Sequence, residues 1–149
     1  MNMNGIKKKL SLILCIVLIA AMALCTIGCS DTETTDGAAA VITMEEGKTY
    51  GEGATEFTFT SVDKDTKETT VTIRTDKTTV GEALMELGLI AGEEGEFGLY
   101  VQTVNGTTLT WEEDQMYWSF YIDGDYAMTG VDQTDIVPGC VYTLKAEKG

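Results

Sequence analysis

The segment Met116-Tyr-Trp-Ser-Phe-Tyr-Ile-Asp-Gly124 does most to limit what this chain can fold into. Alternation places Met116, Trp118, Phe120 and Ile122 on one face of a strand and Tyr117, Ser119 and Tyr121 on the other. The strand runs straight into a tight turn at Asp123-Gly124. One face can build a core while the other still offers aromatic surface to a ligand or partner.

The rest of the body reads as two strands, a helix and further strands. Glu56-Phe-Thr-Phe-Thr-Ser-Val62 and Thr69-Thr-Val-Thr-Ile-Arg74 alternate apolar with polar residues around the hydrophilic run Asp63–Glu68, which makes a hairpin. Thr79-Val-Gly-Glu82 spells a capping box, so a helix starts there. Val80, Ala83, Leu84 and Leu87 form its apolar stripe, which must lie on a sheet, and Gly88 and Gly92 offer stops. Gly92 to Glu96 reads as an acidic loop, followed by Gly98-Leu-Tyr-Val-Gln-Thr-Val104 as a strand. Asn105-Gly106 then favours a type I′ turn, and that reading is preferred to the glycosylation sequon that Asn105-Gly-Thr107 also spells. Trp111, an acidic loop Glu112-Glu-Asp114, the aromatic strand and Val141-Tyr-Thr-Leu-Lys145 complete the chain.

The N-terminus bears on the address. Lys7-Lys8-Lys9 forms a positive n-region and Leu10 to Ile27 is almost wholly apolar, the pattern of a secretory signal. It ends at Thr26-Ile-Gly-Cys29, which resembles the lipobox of bacterial lipoproteins, with Thr26 where that family most often has leucine. The resemblance implies cleavage before Cys29 and a diacylated cysteine, and a pair of acyl chains suffices for stable anchoring. Bulky Leu24 disfavours cleavage near Cys25, and the alternative to cleavage is an apolar run kept as a membrane anchor. Either way the expected location is the extracytoplasmic face of the cell membrane. Residues 1–28 then form the signal peptide, 29–40 a lipidated flexible tether, polar and then Gly-Ala rich, and 41–149 one domain.

Without the signal the chain keeps seven basic against twenty-four acidic residues, a net charge of −17. Nucleic acid and anionic headgroups are poor partners for such a surface, because phosphate binding needs a basic footprint. Of the cysteines, Cys15 and Cys25 leave with the signal and Cys29 is the lipid site, so only Cys140 remains and no intramolecular disulfide forms. Cys140 reads as a small buried residue in an apolar strand rather than a nucleophile. The core alone must hold the domain together.

The element order is that of an α+β domain, a β-grasp-like mixed sheet packed on one helix. The helix Thr79–Leu89, Gly98-Leu-Tyr-Val with Asn105-Gly106, Tyr117-Trp-Ser-Phe-Tyr-Ile-Asp-Gly124, Gly130 and a last strand after Pro138-Gly139 resemble the transcobalamin-like C-terminal domain family. The likeness spans roughly Phe57 to Lys148 and departs from the family at Pro138-Gly139-Cys140, where a Gly-Asp turn is usual. It implies a β-grasp that forms one wall of a corrinoid site, which vitamin B12 carriers close with a large helical-barrel domain. This chain has no room for that domain, so a helical-barrel partner protein would have to supply the other wall. The chain also has no histidine to ligate cobalt.

The candidate ligand-binding residues are Tyr117 and Tyr121 on the amphipathic face, Trp111 beside the acidic loop and Tyr126 after the Asp123-Gly124 turn, while Trp118 belongs to the core. No catalytic residue is assigned. The common general base is missing, no Gly-x-Ser-x-Gly occurs, and the paired acids Glu93/Glu94, Glu112/Glu113/Asp114 and Asp123/Asp125 read as solvated charge. No metal site or cofactor is assigned: carboxylate and carbonyl oxygens of the acidic loops leave calcium open, but Asp123-Gly-Asp125 lacks the spacing of an EF-hand. Two readings follow. The first is a lipoprotein that binds cobalamin or another corrinoid, and the second is a non-catalytic surface module that binds protein or glycan.

Overall fold

The computed structural model describes residues 41–149; the expected signal peptide, Cys29 and the expected tether lie outside the described residues. In chain order the elements are β1 (Thr49–Tyr50), β2 (Thr55–Val62), β3 (Glu68–Thr75), α1 (Val80–Glu86), β4 (Ile90–Gly95), β5 (Gly98–Val104), β6 (Thr107–Thr108), α2 (Trp111–Asp114), β7 (Met116–Ile122), β8 (Asp125–Tyr126), a 3-10 turn (Val131–Gln133) and β9 (Val141–Lys148). The result is an α+β fold made mostly of sheet. Among the described residues no helix is long and apolar enough to cross a membrane.

Six strands form one mixed sheet in the order β1-β3-β2-β9-β7-β8. The hairpin β2–β3 is antiparallel, with Phe57 opposite Ile73 and Phe59 opposite Val71. The last strand returns to lie parallel to β2, so Phe59 neighbours Tyr142. β7 then pairs antiparallel with β9, putting Trp118 beside Ala146 and Phe120 beside Leu144. These alternate residues share one face and are buried with Val80, Ala83 and Leu84 of α1, so the stripe and the sheet build one core. Each such large side chain contributes about 1.5–3 kcal/mol when fully buried. Tyr142 anchors the centre, edge-on to Phe57 at 5.3 Å and stacked near Phe120 at 6.1 Å. Its hydroxyl accepts from the Val137 amide at 2.9 Å and donates to the Asp135 carbonyl at 3.2 Å, which removes the penalty of burying it.

Local signals set the turns and the cap. Both hydrogen bonds of the Thr79/Glu82 capping box are made. Asn105 and Gly106 have φ of 49° and 76°, and Asp123 and Gly124 have φ of 50° and 87°, the paired positive values of a type I′ turn. At the departure from the family pattern, the Cys140 amide bonds the Val137 carbonyl at 3.1 Å and Gly139 has φ of 81°, as in a type II turn with Pro138 at its first corner.

Three readings are corrected. The acidic stretch Gly92–Glu96 is no loop: most of it lies in β4, which pairs with β5 so that Glu93 faces Tyr100 and Glu94 faces Leu99. Backbone pairing there overrides the low strand propensity of Glu and Gly, and β4, β5 and β6 make a second, three-stranded sheet. The Glu112-Glu-Asp114 loop is one turn of helix, closed by the Asp114 carboxylate accepting from the Thr110 amide at 3.0 Å. Cys140 sits in the turn before β9 and is only partly buried. The segment preceding β2, to which the sequence pattern assigns no element, is structural as well. Met44 is buried in the core, its amide donates to the Asn105 side-chain oxygen, and Lys48 accepts from the Thr72 amide at 2.9 Å along the edge of the sheet.

Candidate functional site

The face of the large sheet turned away from α1 is where the tyrosines gather. Alternation along β7 sends Tyr117, Ser119 and Tyr121 to it, and the β7–β9 register sets them opposite Glu147, Lys145 and Thr143. The Asp123-Gly124 turn folds β8 back so that Tyr126 lies beside Tyr121, with ring centroids 5.6 Å apart and planes at 89°.

Glu147 is the hub of this face. Its carboxylate accepts from the Ser119 hydroxyl at 2.5 Å, from the Tyr121 hydroxyl at 3.0 Å, and pairs with the Lys145 ammonium at 3.0 Å. The Ser119 hydroxyl, then Lys145, holds its carboxyl below the ordinary carboxylate range. The bond to Glu147 in turn raises the Tyr121 phenol, and the Lys145 ammonium is raised for the same reason. A carboxylate saturated by three donors is a poor proton acceptor, and a phenol held protonated still has lone pairs for a ligand. The arrangement therefore suits hydrogen bonding and stacking.

Of the four candidate residues, Tyr121 and Tyr126 touch and Tyr117 shares their face. Trp111 stands apart: it lies at the start of β7's approach, packed against Gly149 at the end of the chain. Trp118 is buried, and its indole donates to the Gln102 carbonyl at 3.0 Å, which ties the large sheet to β5. Asn105, the sequon residue, has its amide nitrogen on the Ser61 hydroxyl at 3.2 Å. The Asp123 carboxylate is also engaged, accepting from the Val141 amide at 2.8 Å and the Cys140 thiol at 3.3 Å. Burial, then that carboxylate, pushes the Cys140 thiol up, the reverse of what an attacking thiolate needs. Among the described residues no three His, Cys, Asp or Glu side chains are grouped to hold a metal ion.

Sequence reasoning missed Glu147 and Lys145. The signal was available, since extending the alternation of β9 by two residues puts both on the outer face. It also missed a cleft of about 310 Å³ lined by Gly95, Glu96, Phe97, Gly98, Leu99 and Tyr100, which none of the four candidates reaches.

Residues 77–147 match a domain of unknown function, DUF4430. A crystal structure from Ruminococcus gnavus, described as that of a candidate metal binding protein, is 30% identical, with a TM-score of 0.61 over 64% of this chain and 99% of that one. This chain belongs to the same family as that protein. The matched region runs from just before α1 into β9 and contains Tyr117, Tyr121 and Tyr126 of the outer face. Haptocorrin in complex with Cbi is a more distant neighbour at 17% identity and a TM-score of 0.48, covering 66% of this chain and 26% of haptocorrin. No curated protein matches the chain.

Proposed function

We propose that this chain is a lipid-anchored, extracytoplasmic, non-catalytic protein whose domain 41–149 is a transcobalamin-like β-grasp that binds a corrinoid or a similar small ligand. The observation that carries the reading is the strand order β3-β2-β9-β7-β8, in which a parallel central pair is flanked by antiparallel partners and one helix follows the first hairpin. A β-grasp of the kind the sequence resemblance implies would have this order, which supports the reading. The second support is local. The family-like run Tyr117–Gly124 forms β7 and its I′ turn, and it presents Tyr117 and Tyr121 beside Tyr126 on an outer face. A corrinoid is large, partly apolar and rich in amide arms, so tyrosines and backbone groups suit it.

Calorimetric titration of the full chain with cobalamin and cobinamide, alone and with a helical-barrel partner, tests this. Binding is expected to weaken about tenfold or more in Tyr121→Ala. An absence of heat in both formats at about millimolar ligand would sink the corrinoid reading.

A further inference from the structure

We infer that the tip of the β4–β5 hairpin, together with the loop at Met128, is a docking surface for a cationic, amphipathic segment of another protein. The inference does not depend on corrinoid binding, because none of the outer-face tyrosines takes part.

Phe97 and Met128 are the most exposed large apolar side chains of the described residues, at 89% and 92%. Their loops are nevertheless fixed. The Gln133 side-chain nitrogen donates to the Phe97 carbonyl at 3.3 Å. Gly98, next to Phe97, has φ of 106°, and a Cβ there would fall 2.7 Å from the Asp132 carboxylate. A Cβ on Gly130, two residues past Met128, would meet the same carboxylate at 2.7 Å. Both loops therefore close on Asp132, and the two apolar side chains project from a held base. Anchors already in place lose little freedom on binding, and apolar anchors of this kind carry much of the energy of an interface. Beside them the hairpin's own cleft, about 310 Å³ and lined by Phe97, Leu99 and Tyr100 among others, can receive an apolar group from a partner.

Charge selects the partner. Glu93, Glu94 and Glu96 are exposed around the tip. Between Lys77 and Lys145 the chain has twelve acidic residues and no lysine or arginine. Among the described residues, eight of the nine exposed large apolar ones fall in that same base-free stretch. A second copy would bring an equally acidic tip, and an anionic bilayer would be repelled. A complementary surface must offer both positive charge and an apolar side chain.

The test titrates the full chain, by fluorescence anisotropy at physiological ionic strength, with a labelled amphipathic lysine/leucine helical peptide and with oligolysine of equal charge. The amphipathic peptide is expected to bind about tenfold more tightly than oligolysine. The double variant F97S/M128S should abolish that preference without moving the melting temperature, since both side chains are almost fully exposed. Glu93, Glu94 and Glu96 changed together to Gln should weaken both peptides, while Tyr121→Ala should weaken neither. Equal affinity for the two peptides overturns the inference, as does a double variant that binds like the parent. Sedimentation showing a dimer that F97S/M128S dissolves would assign the face to a second copy instead and likewise overturns it.

Discussion

Glu147 shows how much a single side chain on a sheet face depends on its cross-strand neighbours. Its depressed carboxyl has a consequence for stability. A group whose folded value lies below its ordinary one, 4.5 for this carboxyl, stabilises the fold above that value, and the contribution is lost as pH falls through the lower folded one. Tyr121 and Lys145 work in the opposite sense. Their folded values are raised, so their contribution is present below the ordinary values of 10.0 and 10.5 and is lost as pH rises through the folded ones. Urea denaturation at stepped pH should therefore show stability falling on the acid side below the ordinary carboxylate value and again in strong alkali. Glu147→Gln should flatten both limbs, and a variant with an unchanged acid limb would contradict the hub role. Of this small network the sequence showed Tyr121 and Ser119 by alternation. Alternation along β9 could place Glu147 on the outer face but not against Tyr121, which lies 26 residues away and meets it only through strand pairing.

At the scale of elements, legibility follows how local each signal is. The β2–β3 hairpin, the capping box and the two I′ turns were readable because each is settled within a few residues by alternation, a hydroxyl or a residue tolerant of positive φ. β4 and α2 were not, because Glu and Gly have low strand propensity and take structure from the partner strand in β4, while the four residues of α2 are too few to show a helical period. Asn105 joins the two kinds of information. It holds the turn at φ 49°, accepts from the Met44 amide, and donates to Ser61 on β2. Asn105→Ala should cost about 1–3 kcal/mol in chemical denaturation, since it leaves buried partners unsatisfied. A loss under about 0.5 kcal/mol would show that the turn alone, and not its bonds to the segment before β2, is what Asn105 provides.

For the whole molecule, the pairing that closes the sheet is the parallel contact of β2 with β9, made between opposite ends of the domain. Such non-local pairing must overcome loop-closure entropy before it is rewarded, so no window of sequence announces it. The proposed address is the reverse case, since it rests wholly on a short N-terminal pattern outside the described residues. If the chain is anchored as proposed, Cys29→Ser should leave it unprocessed or released and without lipid label; normal labelling of that variant would exclude Cys29. What the sequence determined by itself was the strands β2, β3, β5, β7 and β9, the one amphipathic helix, the two I′ turns and the separation of Trp118 from the tyrosines, because backbone periodicity assigns each residue a face regardless of context. Only the tertiary structure decided which faces meet. It set Tyr121 against Glu147 and Tyr126, moved Trp111 to the far end of β7, and closed two loops on Asp132 so that Phe97 and Met128 stand out, since those are distances between segments that pairing and packing fix.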